Sequence, residues 1–442
     1  MTRISFYNGL REIGGTFVAI ETKEAVCIFD FGFAVSGRSD ERILKRDEYA
    51  ADYVRLGMLT PYDGIYDEKT AKLTGLKPYG AIGKEVFFVI SHMHIDHMGG
   101  LGSLAKEVPV YMSEDSLKLY RSLEQNNDVQ DAGHENCIGI PFGESFVVGD
   151  ITVKVLPIDH DVIGASGFVI STEDGSICYT GDYRFHGFHP EVTESFAKAC
   201  KGVDVLITEG VTASFDDIDM LSLTEPTQAV RTEETLQQEM KELAASSDKL
   251  LVINPYNRNV ERVYRLIHTF RESGRTLILD AAQALYVSAI YPDAPISVLE
   301  ETIHGRVCKS DWKKISRAQL QNAPEQYVLQ LDYEDLFQLF DLKDVTSAYV
   351  HMDGAPLGDY DPSFAKLKNI LEVLEIEYLF MSLGGHAKPY YLRTMIDTIA
   401  PKTLIPLHSF RPEQVNSSAI ERRILPQYGQ TIYLEQHEIK NR

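Results

Sequence analysis

The chain of 442 residues carries 43 Lys and Arg against 65 Asp and Glu, a formal net charge of −22. Its 44% apolar and 24% charged residues are an ordinary globular composition, which excludes a disordered or collagen-like chain, and the length allows roughly two to four domains. The acidity repels polyanions at long range, so a nucleic-acid partner needs local support. Apolar runs such as 86–90 fall far short of the roughly 18 residues of a membrane span, and the N-terminal stretch lacks the apolar core of a secretion signal. Five scattered cysteines (Cys27, Cys137, Cys178, Cys200, Cys308), with no CxxC pair, argue against a disulfide framework and for a reducing, cytoplasmic location.

In chain order, residues 17–20 and 25–29 read as strands around a turn at 22–24. Residues 38–80 are polar and Tyr-rich with helical stretches, and they suggest no role. The apolar strand 85–90 runs into SHMHIDHMGG, and further strands are predicted at 151–156, 167–171 and 176–179. The texture changes after about residue 230. Leu236, Met240, Leu243 and Ala244 fall at helical spacing before a short buried strand at 250–253. Val260, Val263, Ile267 and Phe270 mark a second amphipathic helix, closed by Gly274 and followed by a strand at 276–279. A later alternation places strand at 347–351, helix at 364–374 and strand at 378–381. Strand–helix–strand order predicts parallel βαβ units, so a β-rich scaffold is followed by an α/β section.

The chemistry concentrates after strand 85–90. His92, His94, Asp96 and His97 put three imidazoles and a carboxylate within six residues, a set suited to a borderline metal such as zinc. A solvated His-rich loop is the plainer reading. Four donors are too few for two ions, and three further candidates lie at predicted strand ends. These are His160 in LPIDHDVIGASG, Asp182 in YTGDYRFHG and His408 in TLIPLHSF. Each alone also reads as a hydrogen-bonded structural residue, but a carboxylate at Asp182 can bridge two cations.

This order of motifs resembles the metallo-β-lactamase superfamily over nearly the whole chain: HxHxDH, an isolated His, an Asp after Thr-Gly, then a late His. The resemblance implies two divalent ions, Zn with Mn as the alternative. His92, His94, His160 and Asp182 would hold one, and Asp96, His97, Asp182 and His408 the other. Asp30 in IFDFG matches the first-motif Asp that orients the ligands, and its other reading is a turn former before Gly32. The 225 residues between Asp182 and His408 hold the α/β section, and such an insertion resembles the β-CASP group, whose members cut RNA or DNA. Glu209 in LITEGVT, His386 in LGGHAKPYYL and His408 look like that group's motifs A, B and C. NPYNRNVERV at 254–263 is similar to ribonuclease J-like members, and a motif C histidine implies an RNA substrate. Gly384 and Lys388 stand where motif B usually has serines, and Ser409 where a Gly is common. The chain ends 34 residues after His408, so the C-terminal domain of many such ribonucleases is expected to be absent.

The expected fold is α/β: an αββα metallo-β-lactamase sandwich from residues 1–209 and 381–442, with an inserted α/β parallel-sheet β-CASP domain at 210–380. The expected function is hydrolysis of RNA phosphodiesters by a metal-activated hydroxide. Asp96 and Asp182 serve the metals, His386 is the proton donor and Glu209 holds its imidazole. Arg258 and Lys388 are candidate phosphate contacts, and Asn257 suits an anion or a cap at a helix N-terminus. The segment 304–317, HGRVCKSDWKKISR, offers five Lys and Arg against Asp311 beside Trp312, either as a base-stacking, backbone-tracking surface or as a solvated face with the Trp in the core. Single-stranded RNA is the expected partner, bound weakly and with strong dependence on salt and metal, with no membrane and with room for a homo-oligomer. Two rivals stand: a hydrolase of a small lactone, thioester or phosphodiester, and a catalytically silent RNA-processing scaffold.

Overall fold

A computed structural model describes residues 1–33, 48–129, 133–215, 217–226, 230–359 and 361–440. Two sheets face each other because their strands carry apolar side chains on matching faces. The first has eight strands in the order Glu438–Lys440, Thr431–Glu435, Thr2–Asn8, Phe17–Glu21, Ala25–Phe29, Glu85–Val89, Val110–Ser113 and Cys137–Ile140. The second has seven: Arg422–Arg423, Thr403–Leu407, Val205–Glu209, Gly175–Tyr179, Ser166–Thr172, Ile151–Pro157 and Ser145–Val148. Ile4, Phe6, Val18, Ile20, Phe29 and Val89 of the first sheet meet Val153, Val155, Phe168, Ile177 and Ile207 of the second in one fully buried layer. Each such side chain contributes about 1.5–3 kcal/mol on burial.

The outer faces are apolar too, so helices cover them. On the first sheet, Val26, Ile28, Val86 and Phe88 pack against Tyr53 and Val54 of helix Tyr49–Arg55 and Leu119 and Leu123 of helix Glu114–Gln125. On the second, Cys178, Leu206 and Leu404 lie under Phe196 of helix Pro190–Ala199 and Leu392, Met395 and Ile399 of helix Pro389–Ile399. The result is helix–sheet–sheet–helix, as the αββα reading expected.

A third sheet lies between residues 250 and 380. Its five strands, Thr276–Ile278, Tyr327–Gln330, Leu250–Pro255, Thr346–Met352 and Glu377–Phe380, are all parallel, with Val252 in register with Leu329 and Tyr349. The central strand is apolar on both faces, as a strand covered by helices on both sides must be. Leu251 and Ile253 point into one cluster, while Leu250 and Val252 point into another. The central strand comes first in the chain and later strands join on either side of it, so a crevice opens at its carboxyl end. Tyr256 and Arg258 follow there.

Sequence expectation and structure agree to within about two residues for the strands at 17–20, 25–29, 85–90, 151–156, 167–171, 176–179 and 250–253. The 38–80 segment, whose residues 38–47 lie outside the described residues, has a role after all. Helices Tyr49–Arg55 and Glu68–Thr74 place Tyr53, Leu59 and Tyr66 in the core beneath the His-rich loop. Asp67 caps the second helix on Thr70 N, and Gly75 ends it with φ +78°. No described helix is long and apolar enough to cross a membrane.

Candidate metal centre

Strand Glu85–Val89 delivers Ser91 and His92 to the end of the sandwich, and His94 opens the short helix Ile95–Met98. Backbone bonds hold this turn from two sides: Phe31 N to His97 O at 2.7 Å and Gly15 N to Asp96 O at 3.0 Å. The approach is so close that a Cβ on Gly32 would sit 1.8 Å from the Asp96 carbonyl carbon. Gly99 and Gly100 keep helical backbone angles, so space rather than conformation requires them. A Cβ on either would come within 3 Å of Phe33, Phe31 or Leu59.

The seven expected ligands converge. His92, His94, His160 and Asp182 bring one donor atom each within 4.8 Å of one another, and so do Asp96, His97 and His408. Asp182 Oδ2 lies 3.2 Å from His97 Nε2, 3.4 Å from His408 Nε2 and 3.8 Å from His92 Nε2, at the position of a bridge. Donors about 2.0–2.1 Å from a shared ion stand roughly 3.0–3.5 Å apart, so these separations suit metal ligation. The Nε2 atoms of His92, His97 and His408, and Asp182 Oδ2 itself, are buried without a hydrogen-bond partner. Orphaned buried polar atoms are costly, and this donor set fits divalent cations.

The second ring nitrogens are tied down behind the site. Asp30 Oδ2 accepts from His97 Nδ1 at 2.8 Å, and its carboxylate also accepts Ser91 N, Ser91 Oγ and Tyr179 OH. Ser91 Oγ lies 3.0 Å from His92 Nδ1, Gly385 O accepts from His160 Nδ1 at 2.7 Å, and Thr16 Oγ1 lies 3.3 Å from His408 Nδ1. Asp30 and His408 hold left-handed backbone, φ +55° and +50°, a strain that side chains other than Gly accept only where the surroundings fix them. Asp30 thus hydrogen-bonds His97 and Ser91 directly, beyond any part in the turn before Gly32.

Electrostatics prepare the donors. Burial drives the His92, His160 and His408 imidazoles toward the neutral, lone-pair form, His160 to about 3. Burial also disfavours charge at His97, but Asp182, Asp96 and Asp30 outweigh it and hold its pKa well above the ordinary value.

Beside this cluster, Asp182, Glu209 and His386 form a third close group. His386 Nδ1 is 3.3 Å from both Glu209 oxygens and 3.8 Å from Asp182 Oδ2. Glu209 ends a buried strand and is fixed by Tyr183 N and Val211 N, each at 3.2 Å. Burial lowers the His386 pKa, but Glu209 and Asp182 more than reverse this and raise it to about 9.

A family model described as a beta-lactamase superfamily domain matches residues 80–243, the stretch with six of the seven donors. Ribonuclease J of Pyrococcus abyssi is 27% identical over 221 residues, 47% of this chain and 45% of that protein. Ribonuclease J 2 of Streptococcus pyogenes is 22% identical over 284 residues, 62% of this chain and 44% of that one. Residues 80–243 thus match the beta-lactamase superfamily domain, and the chain is similar to ribonuclease J. It spans less than half the length of these relatives. A crystallised protein of unknown function from Enterococcus faecalis matches nearly end to end, with 28% identity, a TM-score of 0.83, and coverage of 98% of this chain and 99% of that one.

In this ribonuclease J-like chain three substrate expectations change. Arg258 is not an open phosphate contact. It is buried, donates to Met93 O and Asp128 O, and pairs with the Asp128 carboxylate at 3.6 Å, so it braces the metal loop from behind. Its helix is capped by Asn259 on Arg262 N, not by Asn257. In segment 304–317, Trp312 is buried in the core, Arg306 pairs with Asp335 and Asp280, and Arg317 pairs with Asp341. Only its lysines stay open, so no stacking platform forms there. Lys388 is exposed at the N-terminus of helix Pro389–Ile399.

Two groups of site-side residues escaped the sequence reading. Asp161 lies against His94 and His160. A buried ion network also joins the Asp182 loop to the third sheet. Glu233 binds Arg184 Nη1 at 3.0 Å and Arg262 at 2.9 Å, and Arg262 reaches Asp353 at 3.0 Å. Asp353 in turn accepts Ser382 Oγ and Leu383 N, just before His386. An acid after a histidine and an acid opening a helix carry no distinctive spacing.

Proposed function

We propose that the protein is a metal-dependent ribonuclease that hydrolyses RNA phosphodiesters at a site of two divalent ions, most naturally Zn. The observation that carries this reading is the pairing of Glu209 with His386 at 3.3 Å, on the flank of a seven-donor metal cluster. The ribonuclease J relatives support it. The domain division expected from sequence, with an insert at 210–380 and the cleft between the parts, is retained in the proposal.

His92, His94, His160 and Asp182 would hold one ion, and Asp96, His97, Asp182 and His408 the other. Divalent ions held there supply Lewis acidity toward water and phosphoryl oxygens. His386 is poised as a general acid. Glu209 engages its Nδ1 and favours the protonated ring, which leaves Nε2 to give a proton to the departing oxygen. Glu209 does not drift, because two backbone amides hold it.

The test uses purified protein of assayed metal content on 5′-labelled single-stranded RNA and DNA, with Asp182→Ala and His386→Ala alongside. Cutting of RNA by wild type, abolished in both variants, is expected. Stoichiometric metal without cutting of either polymer would reject the nuclease reading in favour of a small-molecule hydrolase.

A further inference from the structure

Every ligand histidine of the centre except one has an evident partner for its second ring nitrogen. The exception is His94. Its Nδ1 lies 3.4 Å from His160 Nε2, the spacing of two donors to one ion, while its Nε2 is buried with no hydrogen-bond partner. Asp161 Oδ1 lies 3.3 Å from that Nε2 and 3.2 Å from His160 Nε2, and this oxygen is also buried and unpartnered. Asp161 is only 7% exposed. Room for it comes from Gly385, where a Cβ would lie 2.6 Å from Oδ1 and 2.8 Å from Oδ2.

We propose that Asp161 is a positioning residue of the metal centre: it accepts the Nε2–H of His94 and so presents Nδ1 of that ring to the ion shared with His92, His160 and Asp182. The inference rests on the metal-centre reading above. Asp161 does for His94 what Asp30 does for His97, since a carboxylate behind a ligating imidazole fixes its tautomer and raises its basicity. It also completes a charge match. Asp30, Asp96, Asp161 and Asp182 give four carboxylates to two dications, while Glu209 is answered by His386. An uncompensated carboxylate at this burial is expensive, and a neighbouring dication removes that cost.

The test is titration of the metal-stripped full chain with Co²⁺ and Zn²⁺, following the visible Co²⁺ bands and the affinity of each ion, for wild type, Asp161→Asn and Asp161→Ala. Asp161→Asn keeps the shape and an acceptor but not the charge. One ion is expected to bind about 10–100-fold more weakly, with altered Co²⁺ bands, while the second keeps its affinity. Asp161→Ala should lose more than Asp161→Asn. Thermal unfolding of the stripped proteins identifies any folding defect, and the Asn variant carries the test if the Ala variant does not fold. Wild-type affinities and bands in both variants would overturn the proposal, as would equal weakening of both ions alongside a less stable stripped protein. A wild-type chain that takes up no ion would overturn the metal-centre reading itself, and this inference with it.

Discussion

Glu209 meets His386 through both carboxylate oxygens, so charge and shape can be separated there by Glu209→Gln. In the proposed mechanism the acid form of His386 is the working form, and its pKa is raised to about 9. Turnover should therefore fall as pH rises through that value, and Glu209→Gln should move this alkaline limb to lower pH, read from kcat profiles. His386→Ala should cost about 10²–10⁴-fold in kcat, the usual range for a lost general acid. His97 supplies a second titration. Its pKa is held well above the ordinary value by Asp182, Asp96 and Asp30, so near neutral pH a cation must displace its proton. Calorimetry of the stripped protein in buffers of different ionisation enthalpy should show proton release on metal uptake, with affinity rising with pH. At this scale the sequence was most informative where donors are close neighbours. His92 to His97 form a local pattern, whereas Arg258, apparently open beside a motif, is revealed as a brace only by the carbonyl of Met93 folded over it.

Among elements, the buried ions that link Arg184, Glu233, Arg262 and Asp353 tie the Asp182 loop, helices Glu233–Ser246 and Val260–Glu272 and the segment before His386 into one unit. Arg262→Ala leaves Glu233 and Asp353 without their shared partner, and breaking a buried pair typically costs about 3–5 kcal/mol, so denaturant unfolding should move to lower midpoint by that order. Several strands found from sequence are central ones, such as Ala25–Phe29 and Leu250–Pro255, which are apolar on both faces and so nearly uninterrupted in hydrophobicity. The edge strands Thr276–Ile278 and Glu377–Phe380 are legible from the amphipathic helices that precede them. Those missed include Val110–Ser113, Cys137–Ile140 and Ser145–Val148, each only four residues and too short to show a clear period, even though Ser145–Val148 pairs in a tight hairpin with the next strand. Thr2–Asn8 alternates cleanly, yet its neighbour Thr431–Glu435 comes from the opposite end of the chain. No local pattern predicts that pairing.

For the whole molecule, the charge of −22 and the fate of segment 304–317 act together. With Arg306 and Arg317 paired to acids and Arg258 buried, the cations singled out from sequence that remain open to displace counterions from RNA are Lys309, Lys313, Lys314 and Lys388. The strong salt dependence expected from sequence should therefore be weak. In metal-loaded His386→Ala protein, anisotropy of labelled single-stranded RNA between 50 and 200 mM salt should give a log–log slope shallower than about −2, equivalent to fewer than three displaced phosphate counterions. A steeper slope would point to a basic surface formed only on binding.

His408 lies 226 positions beyond Asp182, on a strand seated directly beside Val205–Glu209. During synthesis, at about 5–20 residues per second, the Asp182 carboxylate waits roughly 11–45 s for His408. The N-terminal strand Thr2–Asn8 waits longer still for Thr431–Glu435. An emerging chain thus carries an incomplete donor set until His408 has been made. The ribonuclease proposed above would lack its full metal site until His408 had emerged.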